Sequence, residues 1–161
     1  MGASNPEGYG GYYAWGETST KRNYTDGNYL NGKGLTYNIG KNIAGTQYDA
    51  ATANWGSSWV MPSLKQMNEL KDKCSSVWTT KNGVNGQMFT GPNGASVFLP
   101  AAGYRWKDDL GSAGSDGYYW SSTLYESRTY GAWCLYFYGG YVGTDFNYRN
   151  YGLSVRPVRK N

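Results

Sequence analysis

Histidine is missing from all 161 residues. Its absence removes Ser-His-Asp and Cys-His nucleophile systems, zinc sites built on imidazole, and haem ligation by His. Cysteine is nearly missing as well. Cys74 and Cys134 stand far apart, match no metal-ligand spacing, and read as two free thiols in preference to a disulfide. Neither has a neighbouring signature of thiol activation. Low-complexity tracts, charge runs, heptads and repeats of fixed period are all absent. No stretch reads as a signal peptide or a membrane span, so the chain does not spell out its compartment.

What fills the space instead is glycine and large aromatics. The 24 glycines imply many turns and irregular loops, and the 7 tryptophans and 17 tyrosines must supply core volume that Leu and Ile supply elsewhere. The length suits one domain with a real core and leaves little room for two. Net charge is +4, but its cations are scattered, at Lys21, Arg22, Lys33, Lys41, Lys65 to Lys73, and Arg156, Arg159 and Lys160 in the tail. A nucleic-acid site concentrates cations beside its aromatics. Here the aromatic-rich region is close to neutral, Glu126 and Asp145 offsetting Arg128 and Arg149, so no nucleic-acid partner is expected.

Residues 1–8 read as an N-terminal tail and 9–161 as a single domain. Tyr9 to Gly16 suggests a short extended segment, and residues 18–47 an excursion over the surface. Asp49 predicts the cap of a short helix over Ala50 to Trp55, ended by Gly56. Trp59-Val60-Met61 reads as a brief strand. Ser63 and Gln66 then form a capping box, and Leu64, Met67, Leu70 and Cys74 follow on one helix face, which makes Cys74 a small buried hydrophobe. Past residue 80 the pattern turns to β. Gln87 to Thr90 and Ala95 to Leu99 flank the hairpin signal Gly91-Pro92-Asn93-Gly94, and Phe98 to Tyr104 runs on as a buried segment. A loop over Gly111 to Gly117 precedes three further strands, near Tyr118–Thr123, Ala132–Tyr138 and Leu153–Val158. Two short helices early and a twisted antiparallel sheet late, joined by long irregular loops, predict an α+β fold.

Between Tyr118 and Tyr151 lie nine tyrosines. Strand alternation places Trp133, Leu135 and Phe137 on one face, read as core, and Cys134, Tyr136 and Tyr138 on the other, read as a wet aromatic surface. Tyrosine offers broad, rigid, amphipathic contact at little rotamer cost, so this region, residues 118–151, reads as a grip and not as a catalytic centre.

Several strings occur together and in order: Tyr12-Tyr13-Ala14-Trp15-Gly16-Glu17, Trp59-Val60-Met61-Pro62-Ser63, Phe98-Leu99-Pro100-Ala101-Ala102-Gly103-Tyr104-Arg105, Tyr119-Trp120-Ser121-Ser122-Thr123 and Ser154-Val155-Arg156-Pro157-Val158. Over residues 5–159 the chain resembles the "major paralogous domain" family of Bacteroidetes and Fibrobacter surface proteins, which has a C-type-lectin-like fold. More narrowly it looks like the variable proteins of diversity-generating retroelements, in which mutagenic reverse transcription at template adenines rewrites the C-terminal region. Members of the family usually carry a further strand ahead of the position at which this chain begins. The calcium-binding Glu-Pro-Asn or Gln-Pro-Asp and Trp-Asn-Asp strings of sugar-binding C-type lectins do not occur here. The isolated acids at Asp108, Asp109, Asp116, Glu126 and Asp145 do not make up the six to eight oxygen ligands that calcium takes.

The resemblance implies a non-catalytic module that binds a ligand or receptor, on a bacterial cell surface or a phage virion, with no cofactor and no metal. The expected contact set is Tyr125, Ser127, Arg128, Thr129, Tyr130, Cys134, Tyr136, Tyr138, Tyr141, Asp145, Phe146, Asn147, Tyr148, Asn150 and Tyr151. These are residue types that altered asparagine codons yield, and Trp133, Leu135 and Phe137 would be fixed scaffold. The partner expected is a macromolecule, most simply a protein. A metal-independent glycan site is the alternative, disfavoured because the tryptophans read mostly as inward. A third reading casts Cys74 and Cys134 as the pair of a formylglycine-generating-enzyme-like oxidase, but no general base accompanies them.

Overall fold

The computed structural model describes residues 1–161. Two α-helices, α1 (Ala50–Trp55) and α2 (Leu64–Lys73), combine with ten short strands, so the fold is α+β. The strands are β1 (Trp59–Val60), β2 (Ser75–Lys81), β3 (Val84–Thr90), β4 (Ser96–Pro100), β5 (Tyr104–Trp106), β6 (Asp109–Gly111), β7 (Asp116–Leu124), β8 (Gly131–Tyr138), β9 (Tyr141–Tyr148) and β10 (Val158–Arg159). They form four small antiparallel sheets, β1-β10, β2-β3-β4, β5-β6 and β7-β8-β9, and not the one sheet expected. Isolated bridges stitch the sheets together: Gly152 to Arg105, Leu153 to Tyr13 and Ser154 to Tyr119.

Both helices begin where local chemistry places them. The Asp49 carboxylate accepts from Ala51 N (2.8 Å) and Thr52 N (3.2 Å), and Gly56 closes α1. Asp49 is fully buried and also accepts from Gly45 N (2.8 Å) and Met61 N (3.1 Å), so one side chain ties a loop, a helix start and β1 together. Ser63 and Gln66 make the reciprocal capping box of α2. Met67 is buried, and Leu70 and Cys74 pack half-buried against the same cluster.

Four strands, β2, β5, β6 and β9, lie outside those the sequence predicts, and two of them, β2 and β9, adjoin tight turns. β2 and β3 are joined by Asn82-Gly83, and β8 and β9 by Gly139-Gly140; each is a two-residue loop with positive φ at both positions (49° and 79°; 50° and 94°). Such loops match the twist of the flanking strands, and Asn-Gly and Gly-Gly are their sequence mark. Residues 141–148, expected as loop, are therefore the edge strand β9. Near Leu153–Val158 the expected strand shrinks to bridges and β10.

The excursion at 18–47 is not a surface loop throughout. It is irregular, with one 3₁₀ turn (Tyr29–Gly32), but it drives Tyr24, Tyr29 and Ile43 into the core. Irregular backbone leaves carbonyls without strand partners, and the aromatics satisfy them. The Tyr12 hydroxyl donates to Ala102 O (2.7 Å), Tyr24 to Tyr12 O (2.6 Å), Tyr119 to Pro100 O (2.7 Å), and Tyr29 to Trp15 O. The indoles of Trp15 and Trp120 donate to Ser121 O (2.9 Å) and Tyr13 O (2.7 Å). A leucine core could not do this, which is why so glycine-rich a chain needs so many phenols inside. Residues 1–8 lie against the domain, with Met1 O accepting from Gly11 N at 2.7 Å.

Candidate binding surface

Sheet β7-β8-β9 positions the aromatics, and both of its faces are partly covered. Directly opposed residues share a face. Trp133 with Phe146, Leu135 with Thr144, and Phe137 with Val142 lie on one side. There α2 crosses, with Thr144 Oγ1 3.1 Å from Asn68 Oδ1, and Leu135 and Phe137 are sealed beside Met67, Phe89 and Tyr119. Gly117, opposite Phe137, leaves room for that ring; a Cβ there would lie 2.0 Å from it. On the other side Cys134 opposes Trp120 and Asp145, and Tyr136 opposes Tyr118 and Gly143.

Burial corrects three expectations. Cys134 is not on a wet face: it is 2% exposed, in the cluster of Tyr13, Trp15, Trp120 and Leu153. Burial, followed by the Asp145 carboxylate, pushes its thiol far above the usual range. Asn150 also points inward, at 5% exposure. Trp133, expected as core, is only half-buried. The reason is common to all three. Alternation says which residues share a face, whereas the depth of cover along that face is set by segments distant in sequence.

The remaining expected residues do come to the surface. Ser127, Arg128, Thr129, Tyr138, Tyr141, Asp145 and Tyr148 are exposed, and Tyr125, Tyr130, Tyr136, Phe146, Asn147 and Tyr151 are half-buried. They do not form one flat strand face, because Phe146 and Tyr148 oppose Trp133 and Gly131 on the α2 side whereas Tyr136 lies on the other. The rings nevertheless join. Trp133 meets Tyr125 (4.8 Å between centroids), Tyr125 meets Phe146 (4.7 Å), and Phe146 meets Tyr130 (6.3 Å). Tyr130 stacks on Tyr148 (5.3 Å), Tyr148 meets Tyr151 (5.7 Å), and Tyr151 stacks on Tyr104 (5.8 Å). Tyr104 meets Tyr118 (5.3 Å), Tyr118 stacks on Tyr136 (4.7 Å), and Tyr138 and Tyr141 close the series at 5.3 and 5.2 Å. Trp106 joins from the side at 6.2 Å from Tyr151. An unbroken aromatic ribbon thus passes from one face of the sheet to the other by way of Tyr148 and Tyr151.

Tyr104, Trp106 and Tyr118 were not among the expected residues. Tyr104 and Trp106 come from the β5-β6 hairpin, which nothing local in the sequence ties to residues 148–151; the bridge between Arg105 and Gly152 does so. The Asp116 carboxylate accepts from Tyr136 (3.2 Å) and Tyr118 (3.4 Å). Burial first, then the neighbouring phenol and this carboxylate, push the Tyr118 hydroxyl far above its ordinary value; burial also raises Tyr136 and Tyr151.

Arg149, read from the sequence as a cation within the aromatic region, lies in the core instead. It is 1% exposed and has no carboxylate partner. Its guanidinium donates to the Tyr29 hydroxyl (3.0 Å), Thr129 O (3.0 Å) and Tyr37 O (2.7 Å), and lies 5.0 Å from the Trp15 ring centroid. Its charge is thus withdrawn from the ribbon, where Asp116, Glu126 and Asp145 stand beside Arg128, Lys107 and Lys41. Glu126 pairs with Lys41 at 2.7 Å in solvent. No three His, Cys, Asp or Glu side chains gather anywhere as a metal-ion set, and no helix is long and apolar enough to cross a membrane.

Comparison with known proteins returns no match among curated proteins and none among solved structures. A family model does match, over residues 73–158, from the last residue of α2 to β10, and this stretch holds every ring of the ribbon. Covering more than half of the chain, it identifies the protein as a member of the family described as a domain of unknown function, DUF8237.

Proposed function

We propose that this domain is a non-catalytic binding module of C-type-lectin-like fold that grips a protein partner through its aromatic ribbon. It is read as an extracellular domain, on a bacterial surface or a phage particle, of the kind that diversity-generating retroelements vary. The observation that carries the reading is the continuity of the ribbon together with its exposure. Tyr138, Tyr141 and Tyr148 are 45%, 55% and 43% exposed although each contacts other rings. Large contiguous apolar patches on a monomer mark interaction sites, and tyrosines at the centre of an interface each contribute about 2 kcal/mol or more. The mixed, nearly balanced charge around the ribbon, with no concentration of cations, disfavours nucleic acid. The sealed Cys134 thiol, its ionisation suppressed by burial, is a poor nucleophile. Its burial, with that of Asn150, also removes positions 134 and 150 from the set that can vary freely.

The test combines capture of partners from bacterial surface extracts with calorimetry on the purified pair. Tyr138→Ala together with Tyr141→Ala should weaken that pair at least a hundredfold and leave the melting temperature unchanged. A partner indifferent to both substitutions, or a variant that unfolds, refutes the reading. The retroelement part stands apart: the coding DNA must carry a near-identical template repeat and a neighbouring reverse-transcriptase gene, and a locus lacking both overturns it.

A further inference from the structure

Where Trp106 joins the ribbon lies an open cleft of about 330 Å³, at the small end of the range for ligand sites. The two-residue turn Lys107-Asp108, with Lys107 at φ 53°, swings Trp106 out of the β5-β6 hairpin to 41% exposure. Tyr151 and Tyr148 continue the wall, Trp106 and Tyr151 being tilted by 33°. Asp26 also lines the cleft, brought in because Tyr24 and Lys107 exchange backbone hydrogen bonds of 2.9 Å.

Asn150 is the informative residue. It lines the cleft and is about nineteen-twentieths buried, yet no hydrogen bond joins its amide to the protein. Nor is it sealed from the outside, unlike the orphaned polar atoms of Gln87, Ser122 and Ser154. The amide is thus open to the cleft and free to meet a ligand that both donates and accepts. Charge narrows the class further. Asp26 and Lys107 cancel, and the Lys107 ammonium already lies 4.5 Å from the Trp106 ring centroid, so neither an anion nor a cation is selected. One Asp26 carboxylate oxygen accepts from Gly27 N (2.9 Å), and the other has no protein partner.

An exposed indole, a second ring beside it, an amide offering both senses of hydrogen bond and a free carboxylate oxygen match a ring that is apolar on its face and hydroxylated at its rim. We propose that this cleft is a metal-independent subsite for a neutral pyranose sugar. The sugar's C–H face lies against Trp106 and Tyr151, and its vicinal hydroxyls meet Asn150 and Asp26. The inference deepens the ribbon's reading as a binding surface and shares Trp106, Tyr148 and Tyr151 with it, but it does not use Tyr138 or Tyr141, so the two fail separately. It also reverses the sequence-based ground for disfavouring a glycan, since Trp106 is an outward tryptophan with an amide and an acid beside it.

The test titrates the protein, with and without EDTA, with the methyl pyranosides of glucose, galactose, mannose and N-acetylglucosamine and their short oligosaccharides. Tryptophan fluorescence and calorimetry report binding. An array carrying free oligosaccharides, glycopeptides and the bare peptides separates the sources: free sugars suffice if they bind, and a protein-linked glycan is the ligand if only glycopeptides do. At least one saccharide should bind equally in EDTA. Trp106→Ala and Asp26→Ala should each weaken it tenfold or more with the melting temperature kept, and Asn150→Ala should do the same. The Tyr138→Ala, Tyr141→Ala pair should leave sugar binding intact while abolishing protein binding. No saccharide bound, binding that survives Trp106→Ala, or binding of adenosine in place of every sugar overturns the proposal.

Discussion

Replacing Arg149 measures what a buried cation without a counter-ion contributes here. The guanidinium gives three hydrogen bonds, to Tyr29, Thr129 and Tyr37, and rests on the rings of Trp15 and Tyr29. Hydrogen bonds from a charged donor contribute about 1.5–3 kcal/mol each, so their gross sum lies at about 4.5–9 kcal/mol. Burying the ion costs several kcal/mol in return. Truncation recovers that cost but strands the Thr129 and Tyr37 carbonyls, which leaves Arg149→Ala destabilised by about 3 kcal/mol net. At this chain length the melting temperature should fall by about 6–12 °C. Arg149→Lys should recover less than half of the loss, because one ammonium cannot span three acceptors set out for a fork. Calorimetry and urea unfolding give the global effect, and amide exchange should quicken selectively at residues 29–37 and 129–130. Arg149→Met is the decisive comparison. It keeps the apolar stem and drops the charge, so a Met variant as stable as the parent would refute the reasoning: the network would then hold no loop that packing alone does not.

Three further outcomes follow from the geometry. Cys134 should resist a thiol reagent until the chain unfolds, while half-buried Cys74 reacts sooner; Cys134→Tyr should destabilise by about 3 kcal/mol or more through overpacking, and a stable Tyr variant in urea unfolding would return position 134 to the variable surface. Asp49→Ala should cost about 3 kcal/mol, read from the urea midpoint, because four backbone N–H groups lose their acceptor. Stability should begin to fall as pH rises past about 8.5, the unfolded thiol's value, because Cys134 stays protonated in the fold, and should fall more steeply past about 10, the phenol's unfolded value. Burial lifts Tyr12 to about 12 and lifts Tyr24, Tyr29 and Tyr119 as well, so the folded chain holds protons that the unfolded chain releases. Urea midpoints that rise across that window, or tyrosinate absorbance appearing at pH 10 without unfolding, contradict it.

Short-range chemistry was legible in the residues alone. The Asp49 and Ser63–Gln66 caps act within three positions, and α1 and α2 begin where those side chains can reach backbone N–H groups. The Gly91-to-Gly94 hairpin and the α+β class are equally local; the turn marks of β2 and β9, Asn82-Gly83 and Gly139-Gly140, are local too, though neither strand is among those predicted from the residues. The alternation in β8 correctly grouped Leu135 with Phe137 and Tyr136 with Tyr138. Cover was another matter. Cys134, Arg149 and Asn150 are buried because residues 13–15, 29–37 and 103–107 return across more than forty positions to lie on them. Trp106 stands beside Tyr151 only through the Arg105–Gly152 bridge. A strand's period of two fixes which side chains are neighbours on a face. Which stretches of that face lie under other chain and which lie under water is decided when distant segments dock, and nothing within the strand encodes it.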